Sequence, residues 1–464
     1  MRTSTLAPTS LVPPAAVAAS SGPAASRSAI VRRAPEGLFY LYLVVVLVEY
    51  SGLGVMYPIV NVTRIPTLLA YTVAIAAMSS VGAGTLFAYP QPKMFALFVF
   101  WSFISVFWAV VSSMAPSAAR FHLDYLLFLA MTFCLVDSED RLRRFAVAVA
   151  SITTLLVVLN LNKLNAERTG EFMAPFFMAD GNDFAWGLVS LLPISLYLIY
   201  AGGPMQRLIG MGAAVVNLAG ILGTQSRGAT LAIIAGLLLF WLGSKRKAAG
   251  VAIAAVGLVI TLASLPQSYF TRMQTIENYE EDDSAQQRIR AWRSAIKMAM
   301  DYPLGVGANN FSAAYGRHYM PPDTSGYMAF RWMAPHSVYF RVIGEYGFPG
   351  LVLLLSIIGL TARDNYRSWR TLQRMAAAGR TLPILVHWPR LLNMGLLMFC
   401  VGAIFLGGFT YPHLYLITGL TLATRRLVDG ASTSAVVDDS ATPAQPQQPV
   451  VNGRAQLVIP ARRA

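Results

Sequence analysis

The residue best suited to accept a proton in this sequence is a histidine that follows a proline at the start of a long apolar stretch. Pro335 fixes its own φ and is favoured at the first position of a helix, so it predicts a helix beginning here with His336 in its first turn. The positive end of the helix dipole favours a neutral imidazole, which can accept a proton. At about 100° per residue, His336 shares a face with Phe340 and Ile343, so we expect it to face the protein interior.

Three arginines near the predicted outer ends of apolar runs are candidates for binding an anion. Arg227 lies in Thr-Gln-Ser-Arg-Gly-Ala-Thr between two apolar runs, and its alternative role is capping of helix-end carbonyls. Arg288 lies at the margin of an amphipathic helix, where snorkelling is the alternative. Arg168 lies in a plain polar loop and is the weakest of the three. His336 alone would be read as structural; beside these arginines it is the leading catalytic candidate.

The helix that carries Arg288 is predicted from a capping box. Ser284 is followed three residues later by Gln287, which predicts a helix continuing to about Asp301. Its expected apolar face consists of Ile289, Trp292, Ile296 and Met300, and Arg290 lies in a basic stripe on the opposite side.

Other polar residues have simpler interpretations. Arg341 and Glu345 are spaced as an ion pair, and Arg120 and Asp124, which flank His122, are spaced in the same way. We interpret that second cluster as structural. Two further residues, Glu49 and His413, lie near outer helix ends and could line a cavity.

Composition indicates a membrane protein. Hydrophobic residues make up 55% of the chain and charged residues only 12%, against about 25% charged in soluble domains. The net charge of +14 resides in loops between apolar runs, where membrane topology explains it better than nucleic-acid binding. The two cysteines lie in separate apolar runs and predict neither a disulfide framework nor a thiolate metal site.

The chain is expected to be all-α, with about twelve transmembrane helices. The apolar runs are residues 37–56, 65–87, 94–113, 118–136, 145–161, 184–201, 208–223, 229–242, 248–265, 346–361, 391–406 and 411–423. Alternation puts most of the basic residues in the cytoplasmic loops, with both termini inside. The predicted organisation is a disordered tail (1–36), nine helices (37–265), a partly helical periplasmic loop (266–335), a re-entering helix and three further spans (336–427), and a disordered tail (428–464).

The sequence offers no convincing site for a metal or cofactor. The four consecutive acids at 280–283 point in different directions and are typical of a solvated loop, not a carboxylate cage. No nucleotide-binding loop, zinc spacing or nucleophile elbow is present. We therefore expect a metal-independent protein that uses neither ATP nor cytosolic nucleotide sugars.

Several short motifs follow one another along the chain: Ser226-Arg227-Gly228, Arg288 with Trp292, Gly305-Val-Gly307, His336-Ser337 and Glu345-Tyr346-Gly347. Their order resembles the bacterial O-antigen ligase and polymerase superfamily, and Arg168 with Asn182-Asp183 resembles it more loosely. The resemblance covers about residues 168–355.

The resemblance implies a glycosyltransferase of the inner membrane of a Gram-negative bacterium, with the membrane-embedded class C (GT-C) architecture and an active site facing the periplasm. The donor would be a glycan on undecaprenyl pyrophosphate, and the acceptor the outer core sugar of lipid A-core. Arginines suit the pyrophosphate, and His336 can remove the acceptor hydroxyl proton. Single displacement would invert the anomeric centre; double displacement would need a carboxylate nucleophile that the sequence does not identify.

Three alternatives remain open at this stage. An O-antigen polymerase and a protein O-oligosaccharyltransferase share these motifs and differ in the acceptor. A transporter of a lipid-linked anion would also need basic groups, but it is expected to carry charges near the membrane midplane and internal repeats. The candidate charges here lie at one face, and no repeat is evident, which favours an enzyme.

The predicted topology can be tested by labelling with a membrane-impermeant thiol reagent. Asp282→Cys should be labelled from the periplasmic side, and Arg374→Cys should not, because the positive-inside bias puts these two residues on opposite sides. The reverse pattern would invert the topology and remove every site residue from the periplasm.

Overall fold

The structure is a computed structural model that describes residues 33–164, 172–243, 283–320, 332–380, 382, 385–409 and 411–441. Every regular element in this part of the chain is helical, which confirms the all-α prediction. The main helices are α1 (Glu36–Ser51), α2 (Ile65–Val81), α3 (Pro90–Ile104), α4 (Ala115–Leu135), α5 (Glu139–Leu159), α6 (Gly181–Ala201), α7 (Pro204–Gly223), α8 (Arg227–Leu242), α9 (Asp283–Asp301), α10 (Val338–Ala377), α11 (Trp388–Gly402) and α12 (His413–Ala441). Short helices or turns connect several of them, at Leu53–Met56, Ile59–Val62, Ala83–Leu86, Ser105–Phe107, Ser112–Met114, Leu161–Lys163, Phe176–Met178, Phe311–Ala314 and Tyr315–Tyr319.

Several helices are long and apolar enough to cross a membrane. Among the described residues there are five: Ser112–Leu135, α5, α6, α7 and α10. α2 and α8 are shorter apolar helices. Eleven of the apolar runs found in the sequence fall on helices, and the run at 248–265 lies outside the described residues. The chain is thus a helical membrane protein.

Ion pairs tie together helix ends that the predicted topology puts on the cytoplasmic side. Arg141 at the start of α5 pairs with Glu36 at the start of α1, with 2.8 Å between Nη2 and Oε2. Asp364 in α10 is buried and accepts from Arg425 of α12 at 2.8 Å and from Gln91 of α3 at 2.8 Å. Buried carboxylates are stable only with such partners, so these contacts fix which helices are neighbours.

α10 is interrupted at Gly347, and the interruption holds the linker that follows α9. Gly347 has φ 68° and ψ −164°, outside the helical region. The carbonyls of Gly344 and Glu345 accept from Val306 N at 2.9 Å and Gly307 N at 3.1 Å, while Phe348 N donates to the Pro303 carbonyl at 3.0 Å. The Gly-Val-Gly and Glu-Tyr-Gly motifs of the sequence are therefore two halves of one backbone interlock.

The carboxylate of Glu345 reinforces this interlock from the side. It is buried and accepts from Asn309 N at 2.9 Å and from Phe311 N at 3.3 Å, at the start of a short helix. It also accepts from Arg341 Nε at 3.1 Å, which confirms the predicted pair. The carboxylate thus accepts from two backbone N–H groups of the linker and pairs with a guanidinium of α10. These contacts hold the linker against α10.

α9 ends at Asp301 as predicted, but it begins at Asp283, so Ser284 lies inside the helix and does not cap it. The predicted apolar face of α9 is also wrong. Ile296 and Met300 are 50% and 69% exposed. The buried face is made of small residues with one methionine: Ala291, Ala295, Met298 and Ala299. The small side chains allow α9 to pack closely on α10, a requirement that hydrophobicity alone does not reveal.

The end of α9 is anchored to the loop that follows it. The Tyr319 hydroxyl donates to Asp301 Oδ2 at 2.9 Å. Burial, together with this hydrogen bond, raises the pKa of Tyr319, so the phenol keeps the proton that the bond requires.

Two predicted boundaries also change. α10 begins at Val338, three residues after the predicted end of the periplasmic loop at 335 and inside the segment 336–427 assigned to the re-entering helix and the last spans. α12 continues to Ala441, beyond residue 428, where the sequence predicted the start of a disordered tail. An Arg425–Asp429 ion pair at 3.2 Å supports the helix across that boundary.

Replacing Gly347 by alanine should destabilise the protein, because a Cβ there would collide with the Pro303 carbonyl oxygen and the positive φ strains any L side chain. We expect a cost of about 1–3 kcal/mol, measured as a lower thermal midpoint in detergent. Gly359→Ala in the same helix is the control, since nothing lies within 4 Å of its added Cβ. Equal midpoints for the two variants would contradict the interlock.

Candidate functional site

The start of α10 is held by the turn that follows α11, residues 403–409. The Ala403 carbonyl accepts from Val338 N at 2.9 Å and from the Ser337 hydroxyl at 3.3 Å. Ser337 is extended, with φ −155°, and is the residue that precedes the helix. Contacts to the 403–409 turn thus satisfy donors at the helix start that would otherwise lack partners.

These contacts place His336 differently from the sequence prediction. The prediction that Pro335 begins the helix and that His336 occupies its first turn is wrong, since α10 begins two residues after His336. His336 has φ 44°, a conformation uncommon for a residue other than glycine, and it is exposed, which also contradicts the predicted inward face. The physical reason is that tertiary hydrogen bonds outweigh the weak preference of proline for the first helical position.

The backbone of His336 packs against the 403–409 turn. A Cβ built on Gly407 would lie 3.4 Å from the Cα of His336, a van der Waals distance, so the two backbone segments pass close to each other here. The Gly407 carbonyl accepts from Arg341 Nη1 at 2.9 Å. Arg341 therefore links the turn to Glu345 and hence to the interlock at Gly347.

Arg227 begins α8 beside the same turn. Ser226 precedes the helix in an extended conformation, and Gln225 before it has φ 54°. A Cβ on Gly228 would lie 3.3 Å from the Cβ of Phe405, so the start of α8 packs directly on the turn. The half-buried Arg227 thus adds a guanidinium to a helix N-terminus, where backbone N–H groups already favour an anion.

Arg288 belongs to a helix that contacts the segment before His336. Trp292 Nε1 donates to the Pro335 carbonyl at 2.7 Å, and its ring stacks on Phe340 with centroids 4.9 Å apart. Arg288 precedes Trp292 by one helical turn, so it lies on the same side of α9. The three predicted residues Arg227, Arg288 and His336 are therefore carried by elements that converge on the 403–409 turn and on Pro335.

A carboxylate at the start of α6 also lies near this turn. Tyr411 donates to Asp183 Oδ2 at 2.9 Å, and a Cβ on Gly408 would collide with the Tyr411 ring. Spacing in the sequence gives no signal for this contact, which joins residues 228 positions apart. Arg168 lies outside the described residues.

His122 is enclosed by tyrosines. Its ring nitrogens are 2.7 Å from the Tyr415 hydroxyl and 2.9 Å from the Tyr346 hydroxyl, and it is fully buried. The neighbouring Arg120 and Asp124 pair at 3.7 Å. With both nitrogens engaged by side chains of the core, His122 serves packing, as the sequence predicts.

Metal ligands are not grouped in the described part of the chain. No cluster of three or more histidine, cysteine, aspartate or glutamate residues occurs there that could hold an ion. The acidic residues 280–282 lie outside the described residues.

One family model matches the part of the chain that contains Arg227, Arg288 and His336. The model of a family described as O-antigen ligase matches residues 212–355, which include Arg227, Arg288, His336 and the interlock at Gly347. No curated protein matches the chain.

The contact between α8 and the 403–409 turn can be tested by disulfide formation. Gly228→Cys with Phe405→Cys should cross-link on oxidation, since the 3.3 Å Cβ separation is close to that of disulfides. Both native cysteines are first replaced by alanine. Gly203→Cys with Phe405→Cys should stay reduced, because Gly203 precedes the 20-residue α7 and lies about 30 Å from its far end. Cross-linking of both pairs, or of neither, would contradict the contact.

Proposed function

We propose, on the premise that residues 212–355 belong to the O-antigen ligase family, that the protein is a glycosyltransferase of the bacterial inner membrane. It transfers glycan from undecaprenyl pyrophosphate to the outer core sugar of lipid A-core, on the periplasmic side, and needs no metal or other cofactor. The observation that carries the proposal is the convergence of the elements bearing Arg227, Arg288 and His336 on one turn and its neighbour Pro335.

The arginines bind the pyrophosphate of the donor. Arg227 adds its guanidinium to the N-terminus of α8, and Arg288 approaches from α9 on the side of Trp292. Guanidinium groups form paired, charge-assisted hydrogen bonds with phosphate oxygens and stabilise the charge that develops on the leaving group. We assign Arg168 to the same anion as a third ligand.

His336 acts as the general base. The imidazole takes the proton of the acceptor hydroxyl while that oxygen forms a bond to the anomeric carbon and the bond from this carbon to the pyrophosphate oxygen breaks. Undecaprenyl pyrophosphate leaves with the electron pair, and a single displacement inverts the anomeric centre. An exposed histidine suits this role because the acceptor is the head of a second lipid and must reach the base from outside the helix bundle.

The unusual backbone of His336 supports this assignment. Positive φ at residues other than glycine occurs at four described positions. One is His336, the proposed base, and another is Gln225, two residues before Arg227. Such conformations cost about 1–3 kcal/mol and persist where the surroundings impose them, often at functional sites. The contacts of Ala403, Gly407 and Trp292 are what impose the conformation of the His336 segment.

The alternatives differ in acceptor or in chemistry. A polymerase would extend a second lipid-linked glycan, and a protein O-oligosaccharyltransferase would modify a hydroxyl of a protein. A transporter of the lipid-linked anion would need the arginines but no base. Purified protein given donor with lipid A-core, a second lipid-linked glycan or a pilin distinguishes them by which molecule is modified.

The site assignment is tested by measuring donor binding and transfer separately, in excess chelator. Arg227→Ala and Arg288→Ala should weaken binding and transfer severely, and lysine at either position should restore only part, since it lacks the planar fork. Arg290→Ala is the matched control: it lies on α9, is exposed and should have little effect. His336→Ala and His336→Asn should bind donor normally but lose transfer by about 10²-fold or more.

Three outcomes would each contradict one part of the assignment. An active His336→Asn variant would exclude proton transfer and leave His336 a positioning role. Equal effects of the three arginine replacements at normal protein levels would remove Arg227 and Arg288 from the anion site. Loss of transfer in chelator that magnesium restores would contradict a metal-independent reaction.

A further inference from the structure

A pocket separate from the 403–409 turn opens among α1, α2 and α4. Its volume is about 390 Å³. It lies at the helix ends that the predicted topology assigns to the periplasm, and Phe176 and Phe177, from the segment before α6, close one side. Pockets of this size bind small molecules or parts of larger ones.

The walls are mainly apolar, with two carboxylates among them. Glu49 of α1 and Asp124 of α4 both line the pocket. Tyr125 donates to Glu49 Oε1 at 3.1 Å, and Tyr71 donates to Asp124 Oδ1. Glu49, which the sequence identified as a residue that could line a cavity, therefore does so.

These carboxylates are poorly compensated. In the described residues Glu49 forms no ion pair, and Asp124 has only the 3.7 Å contact with Arg120, whose side chain is 60% exposed and contributes little. A carboxylate accepts up to about four hydrogen bonds, and the tyrosines supply one to each. Acidic groups in an apolar pocket of a membrane protein are costly unless a ligand supplies the missing donors.

The carboxyl groups of the pocket do not suit the anion proposed for the arginines. A pyrophosphate or a phosphate monoester brings further acceptor oxygens and no donors that match them, so the pocket does not duplicate that site. An aromatic layer separates it from the 403–409 turn: Phe177 contacts Tyr411 and His413, with ring centroids 5.9 Å and 5.6 Å apart. The two regions are neighbours with opposite electrostatic preference.

We propose that this pocket binds the head of a lipid that donates hydrogen bonds and carries no net negative charge. The donors are ammonium or hydroxyl groups, which meet Glu49 and Asp124. The apolar walls between α1 and α2 receive the first methylene groups of the lipid. Two sources supply this chemistry, a phospholipid with an amine head and a neutral lipid with a sugar head.

The proposal is tested by the thermal midpoint of the purified full-length protein in detergent and by lipid retention in native mass spectrometry. The probes are phosphatidylethanolamine, a monoglucosyl diacylglycerol and phosphatidylglycerol, the last as anionic control. A ligand of the folded state raises the midpoint in proportion to ln(1 + [L]/Kd). We expect a rise of several degrees with one or both of the first two lipids, and the one that acts identifies the source.

Variants connect the effect to the pocket. Glu49→Gln with Asp124→Asn should abolish the rise, because an amide binds ammonium and hydroxyl donors more weakly than a carboxylate. The midpoint in detergent alone should stay unchanged, since the amide oxygens still accept from Tyr125 and Tyr71. Ala70→Trp, which fills the pocket without changing charge, should also abolish it. Asp301→Asn, an outer-side carboxylate of α9 away from the pocket, should keep it.

Three results would overturn the proposal. They are equal stabilisation by phosphatidylglycerol, an unchanged rise in both pocket variants, and no rise with any of the three lipids. Because binding is measured directly, the outcome is independent of whether the protein transfers glycan.

Discussion

The interruption of α10 at Gly347 is the constraint on which the arrangement of the outer side depends. In an unbroken helix the Gly344 carbonyl would accept from Phe348 N, whereas the Glu345 carbonyl would have no donor, because Pro349 lacks an N–H. With the break, Phe348 N turns to the Pro303 carbonyl, and the Gly344 and Glu345 carbonyls accept from Val306 N and Gly307 N of the linker after α9. In a membrane protein, backbone N–H and C=O groups that make no hydrogen bond within their helix need partners elsewhere. The break in α10 is therefore tolerated because the linker supplies those partners.

From this interlock a chain of contacts reaches the candidate site. Glu345 binds Arg341, and Arg341 donates to the Gly407 carbonyl, against which the backbone of His336 packs. The start of α8 packs on the same turn through Gly228. Residues more than a hundred positions apart in sequence are thereby held by short, directional contacts, as positioning of reacting groups requires.

Two electrostatic environments lie next to each other at the predicted periplasmic face. One is the proposed pyrophosphate site, to which we assign Arg227 and Arg288. The other, the pocket of Glu49 and Asp124, suits a donor-bearing head without negative charge. Under the two proposals each environment rejects the ligand of the other, so two different lipids are kept apart.

The sequence by itself determined the helical membrane class, the positions of the helices, the end of α9 and the Arg341–Glu345 pair. These depend on apolar run length, local signals for helix ends and i, i+4 spacing, which are properties of neighbouring residues. It also singled out Arg227, Arg288 and His336 as candidates, because few arginines and histidines lie at predicted outer ends; their roles stay predictions.

Only the tertiary structure decided how those side chains are presented. The donors of the His336 segment bond to Ala403, so α10 begins at Val338 and the histidine becomes exposed. α9 buries alanines instead of its larger apolar residues, because close approach to α10 requires small side chains there. These outcomes depend on partners distant in the chain, and neither periodicity nor local propensity contains that information.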